Sequence, residues 1–225
     1  MGTLYLVRHG QASFGSDDYD RLSELGGRQC AALGAHMQAR GRRFQGVLRG
    51  SLRRHQQSLD AVASAMPGLP AALEWPGLDE YDSEAVMRAV RDVVREPLPS
   101  PHTPEGYRQH FRVLKNGLAA WMAGQVQPAG MPAWPEFVAG VVGALDHVRE
   151  HFDGDVLLVS SGGPIATAVA QVLGAPPSTV IDLNLRLRNS ALTEFAFTPK
   201  RHMLQTFNTL PHLDDPALAG WVTST

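Results

Sequence analysis

Three short segments place reactive or anion-binding groups at the ends of apolar runs. In "LVRHGQASF" (6–14) an apolar, partly β-branched run from Thr3 to Val7 stops on Arg8, His9 and Gly10. A neutral imidazole attacks phosphorus well when a backbone carbonyl holds its other nitrogen and so fixes the tautomer. The charge on Arg8 disfavours imidazolium, keeping His9 available near neutral pH, and its fork suits oxyanions. In "DVLLVSSGGPIATAVA" (155–170) a buried strand leads through a glycine turn into a helix. The tip, Ser160, Ser161, Gly162 and Gly163, sets backbone donors where an anion can sit. The third segment is Gly50 and Ser51 with the helix that follows, where Arg54 lies near a helix N-terminus whose dipole favours an anion.

These groups need elements that bring them together. Thr3–Val7, 44–48, 71–75, 155–160, 185–197 and 202–207 read as strands. Helical patterns run over 22–40, where Ser23 can cap, over 52–66, stopped by Pro67 and Gly68, and over 83–95, 104–124, 135–151 and 164–173. A loose tail is expected at the end. Strands alternating with helices predict an α/β three-layer sandwich with a mostly parallel central sheet and helices on both faces. Residues 1–225 read as one domain, with a proline-rich helix and loop insertion at about 82–135 that suits a lid or a structural cap. Ligands in such sheets bind outside the carboxyl ends of the strands, which are the three places picked out above.

Bulk composition excludes several classes. A formal charge of −2 gives no global electrostatic case for nucleic acid or membrane. Of the 20 basic residues only Lys115 and Lys200 are lysine, so individual arginines merit inspection. The single cysteine, Cys30, excludes an internal disulfide framework and CxxC metal sites, and reads as a small buried thiol. There is no run of about 18 apolar residues, and Met1 and Gly2 with Leu6 do not fit a myristoylation pattern. The expected location is cytoplasmic.

The chain resembles the histidine phosphatase superfamily, also called phosphoglycerate mutase-like. Residues 6–11, "LVRHGQ", match its "LVRHGx" signature, and "DRLSELG" (20–26) followed by Gln29 resembles its "xxLTxxGxxQ" helix start. "SLRRHQQS" (51–58) is similar to its "SPLxRAxQT", with Ser51, His55 and Ser58 in place of proline, alanine and threonine. "LRNSALT" (187–193) resembles its late "xxNxSxT" strand, and Asn208 with His212 and Leu213 echoes its ending. The resemblance implies a covalent phosphohistidine mechanism with no metal and no cofactor. His9 is then the nucleophile, and Arg8 and Arg54 bind the phosphoryl oxygens. Glu80, in "GLDEYD" (77–82), is the proton donor, with Asp79 and Asp82 as neighbours able to take that role or face solvent. Gln11, Ser13 and Tyr19 would form the pocket mouth, and Gly162 would contact the ligand. The implied partner is a small phosphomonoester or inorganic phosphate.

One element departs from the pattern. The family's "VSHGGxI" carries a second histidine that donates to the phosphoryl group, and Ser161 stands in its place. A neutral hydroxyl is a weaker donor than an imidazolium, and losing one preorganised donor costs about 10²–10³ in rate. Three accounts compete: Ser161 donates directly or through water, which is preferred; His55 swings in; or the protein binds phosphoesters with little turnover. A mutase-type phosphotransferase is a further alternative. A serine hydrolase is disfavoured because Val159 replaces the first glycine of G-x-S-x-G. A zinc site at His147, Glu150 and His151, formally H-x-x-E-H, is disfavoured because that helix ends at the opposite side of the sheet.

Overall fold

The computed structural model describes residues 1–13, 20–94 and 103–224. Its centre is strand β1 (Gly2–Arg8), whose two faces are both buried, as the near-continuous apolar run requires. Leu4 and Leu6 enter one core; Tyr5 and Val7 enter the other. Helix α1 (Glu24–Ala39) follows, with Ser23 Oγ accepting the Gly26 amide at 3.0 Å as its N-cap. Gly10 and Gly26 allow α1 to press on the turn after β1. A Cβ on Gly10 would lie 2.2 Å from the Gly26 carbonyl oxygen.

The remaining elements are β2 (Gly46–Arg49), α2 (Arg53–Ala65), β3 (Ala72–Glu74), α3 (Ser83–Val94), α4 (Pro104–Met122), α5 (Trp134–His151), β4 (Val156–Ser160), α6 (Gly162–Leu173), α7 (Pro177–Asn184), β5 (Leu192–Thr198) and β6 (Arg201–Thr209). Short 3-10 turns occupy Pro76–Leu78, Pro211–Leu213 and Pro216–Trp221. The strands form one six-stranded sheet in the order β3-β2-β4-β1-β5-β6. From β3 to β1 the pairs are parallel; β5 and β6 continue antiparallel. The architecture is therefore the expected α/β sandwich. Helices α1 and α2 cover one face. Helices α5 and α6 cover the other, joined by Val86 and Met87 of α3, Leu114, Leu118 and Trp121 of α4, and Val180 and Ile181 of α7. No helix among the described residues is long and apolar enough to cross a membrane.

Two expectations need correction. The strand expected over 185–197 begins only at Leu192, because turns occupy residues 185–191 between α7, which ends at Asn184, and β5. Leu185 and Leu187 alternate as in a strand, but the left-handed φ of 56° at Ser190 breaks any extended run before Leu192. The expected loose tail is instead folded against the body. Gln29 Nε2 donates to the Trp221 carbonyl at 2.6 Å, and the Asn189 amide donates to the Thr223 carbonyl at 2.9 Å.

Parallel register delivers the site. Arg8 pairs with Ser160 and Arg49 with Val159, so the residues just beyond, His9, Gly50 and Ser161, emerge side by side. The chain leaves β1 toward β2 on one side and leaves β4 toward β5 on the other. The rim between β1 and β4 is thus a topological switch point, where open sheets bind ligands.

Candidate active site

His9 is the first residue beyond β1 and is 3% exposed. Its amide donates to the Ser160 carbonyl at 2.9 Å, and its carbonyl accepts the Ser190 amide at 3.1 Å. Ser190 can offer that amide because it adopts a left-handed conformation, φ 56°, a costly one for a non-glycine residue. His212 Nε2 holds its hydroxyl at 2.8 Å. The His9 Nδ1 lies 2.7 Å from the Gly10 carbonyl oxygen, which can only accept, so the proton sits on Nδ1 and Nε2 carries the lone pair. Burial above all, then Arg8, Arg54 and His55, holds this imidazole well below its ordinary value and hence neutral.

Arg8 shares the face of Leu4 and Leu6, and its Nη1 donates to the Leu187 carbonyl. Arg54 is the second residue of α2; its Nη1 donates to Asp20 Oδ1 at 2.8 Å, and its Nη2 reaches Ser161 Oγ at 3.4 Å. Leu52, the N-cap of α2, has no capping side chain. Two carboxylates serve instead. Asp20 accepts the Arg53 amide at 2.8 Å, and Asp79 accepts the amides of Ser51 and Leu52 at 2.6 and 3.4 Å.

Glu80 is aimed at the start of α6. The Gly163 amide reaches both its carboxylate oxygens at 3.1 Å, and the Tyr81 amide donates to Oε1 at 3.3 Å. A Cβ on Gly163 would stand 2.1 Å from Glu80 Oε1, so only glycine admits the carboxylate here. Burial raises the Glu80 carboxyl above its usual range and outweighs the Gly163 amide and the charges of Arg54 and Arg8. Both arginines thus act on both His9 and Glu80, and the four side chains share one site.

The two serines of the turn diverge. Ser160 Oγ donates to the Leu78 carbonyl at 2.6 Å and ties down the turn that leads to Glu80. Ser161, buried at the N-cap of α6, makes no capping bond with its side chain; its Oγ lies 2.7 Å from His55 Nε2. Gly162 opens α6 against Asn184, whose Oδ1 a Cβ would meet at 2.2 Å. Gln11 and Ser13 run beside the entrance of α1. The Gln11 amide donates to Gln29 Oε1, its Oε1 accepts the Ser23 hydroxyl, each at 2.8 Å, and the Ser13 amide donates to the Arg21 carbonyl at 2.8 Å. Tyr19 lies outside the described residues.

Sequence reasoning gave Asp20 no role of its own, left Asp79 as an alternative to Glu80, and weighed His55 as a stand-in for the absent histidine. The last two signals were visible, but their meaning depends on packing. His147 and His151 stack at 4.2 Å near the end of α5, away from the site. No group of three or more His, Cys, Asp or Glu side chains placed to hold a metal exists among the described residues.

A family model of the histidine phosphatase superfamily (branch 1) matches residues 4–210, and the chain belongs to that superfamily. Similar solved structures include a phosphoserine phosphatase from Entamoeba histolytica, 20% identical, covering 95% of this chain and 100% of that one, with TM-score 0.62. A phosphoglycerate mutase from Bacillus anthracis is 17% identical over 94% of each chain, with TM-score 0.67. A mycobacterial glucosyl-3-phosphoglycerate phosphatase is 20% identical over 93% of this chain and 99% of that one, with TM-score 0.63. At these identities they establish the shared fold. No curated protein matches the sequence.

Proposed function

We propose that the protein hydrolyses small phosphomonoesters through a phosphohistidine on His9. The observation that carries this reading is the buried His9 ring. Its Nδ1 proton is held by the Gly10 carbonyl while its Nε2 lone pair stays available. Arg8 and Arg54 bind the non-bridging phosphoryl oxygens, and Ser161 donates to one of them. Nε2 attacks phosphorus, the ester P–O bond breaks, and the leaving oxygen takes the proton of Glu80. The Glu80 carboxylate then draws a proton from a water that attacks the phosphohistidine. Inorganic phosphate leaves, and both neutral His9 and protonated Glu80 are restored. No metal takes part in this scheme.

The named ligands of similar structures support a small phosphorylated compound: phosphoserine and 3-phosphoglyceric acid in the Entamoeba phosphatase, and inorganic phosphate in the mycobacterial one. The test is phosphate release from an aryl phosphate by wild type and His9→Ala, with and without chelator. Release by wild type alone, unchanged by chelator, is expected. Undiminished release by His9→Ala overturns the nucleophile, and loss in chelator overturns the metal-free scheme.

A further inference from the structure

His55 is an imidazole fully buried in the first turn of α2. Its Nε2 faces Ser161 Oγ at 2.7 Å, and its ring centroid is 6.0 Å from that of His9. The opposite ring edge faces a carboxylate: Nδ1 and Asp79 Oδ1 are 3.7 Å apart, an ion-pair spacing longer than a hydrogen bond. Gly50 keeps that approach open. A Cβ there would lie 2.3 Å from His55 Nδ1 and 2.6 Å from Asp79 Oδ1. Asp79 is itself fixed by Ser51, whose amide and hydroxyl both donate to it. Ser161, although it begins α6, spends its hydroxyl on His55 rather than on a helix amide.

We propose that His55 is the positioning residue for Ser161: an imidazolium at His55, faced by Asp79, donates from Nε2 to Ser161 Oγ and turns the seryl proton onto a bound phosphoryl oxygen. This relay presupposes the phosphoryl site proposed above. In the empty site the neutral tautomer with its proton toward Asp79 accepts from Ser161, so the seryl proton points away from the ligand. Protonation of Nε2 reverses that bond and frees the seryl proton. The charged groups around His55 are Arg54 on its own helix, Asp79 after the 76–78 turn and Asp20 ahead of α1, with His9 across the pocket. Burial, the leading cause, and Arg54 keep His55 below its ordinary value, and Asp79 and Asp20 oppose them. A phosphoryl dianion adds negative charge on the Ser161 side and shifts that balance toward the imidazolium, with one proton taken from solvent. Two residues thereby supply the charge-assisted donor that one histidine would supply alone.

The decisive measurement is nitrogen NMR of ¹⁵N-histidine-labelled wild type titrated with inorganic phosphate at pH about 7, His55 being assigned by the spectrum of His55→Gln. His55 is expected to take on the imidazolium signature as phosphate saturates. In parallel, kcat for an aryl phosphate is expected to fall about 10²-fold in His55→Ala. In His55→Gln, whose amide donates without titrating, the alkaline limb that the relay predicts for wild type should be lost. A His55 that stays neutral while phosphate binds overturns the relay and leaves the phosphoryl site standing. Wild type that binds no phosphate at millimolar concentration overturns both. A His55→Gln profile identical to wild type also overturns the relay. Phosphate release that survives His9→Ala but not Ser161→Ala would instead make Ser161 the nucleophile, with His55 as its base.

Discussion

Glu80 and Gly163 meet through a single amide that reaches both carboxylate oxygens at 3.1 Å, so the acid is moored to the first turn of α6. That turn favours the carboxylate through its dipole, yet burial wins and raises the proton affinity of Glu80. In the proposed mechanism this group serves protonated toward the leaving alkoxide and ionised toward the attacking water.

Replacing Glu80 by Gln should lower the rate about 10²–10⁴-fold for an alkyl phosphate. An aryl phosphate, whose leaving group is a weak base, should lose much less. Equal losses for the two substrates would remove Glu80 from the role of proton donor.

The same substitution has a stability consequence of opposite sign. A carboxyl whose folded value lies above its unfolded value of 4.5 stabilises the fold most below that value, and the contribution is lost as pH rises through the folded value. Glu80→Gln, which does not ionise, should therefore gain on wild type as pH rises above about 4.5 and match it in acid. Thermal melting across that range checks this. A Gln variant that melts lower at neutral pH would contradict the burial argument.

Gly163→Ala tests the mooring. Its Cβ would collide with Glu80 Oε1 at 2.1 Å and with the Tyr81 ring at 2.9 Å. Activity should drop at least about tenfold, with a stability loss of about 1–3 kcal/mol from overpacking. Full activity with a normal melting temperature would show that Glu80 works from elsewhere.

Acid sensitivity should come in part from His202 and His212, both lowered to about 4, chiefly by burial. Their stabilising contribution is whole above the unfolded value of 6.5 and disappears as pH falls through about 4, because the unfolded chain takes up protons first. His9 and His55 act in the same direction. Melting temperature should therefore decline over that window, and His212→Asn should flatten the decline. An unchanged slope in His212→Asn would remove it from the account.

Gln29→Ala should cost about 1–3 kcal/mol by urea unfolding, because it removes hydrogen bonds to three part-buried partners. The fully buried carboxamide joins the Gln11 amide to the Trp221 carbonyl and the Thr223 hydroxyl. A neutral result would mean that water replaces it without loss.

Local patterns carried the frame of the molecule. A run buried on both faces can only be a central strand, so β1 and its terminal Arg8 and His9 were legible, as were the Ser23 cap and the strand, turn and helix around Ser161. What was not legible depends on which neighbour a side chain meets. Asp79 and Glu80 are adjacent carboxylates that no local rule separates; folding sends one to the start of α2 and the other to the start of α6. His55 and Ser161 are 106 positions apart; the sequence offers His55 only as a stand-in for the histidine that Ser161 replaces, and packing is what sets the two side chains against each other. The leucines before β5 failed for a different reason, since Leu185 and Leu187 lie in turns between α7 and β5 and their alternation belongs to no strand.

The central position of β1 also governs how the protein reaches its folded state. Leu4 pairs with Val156 on one side and Phe195 on the other, so the strand that presents His9 is made long before either neighbour. Closing such long loops carries an entropy cost before the contacts repay it, which slows folding. Through that interval Tyr5, Leu6 and Val7 have no sheet to join. A newly made chain therefore carries an apolar, unpaired strand right beside His9 until β4 emerges.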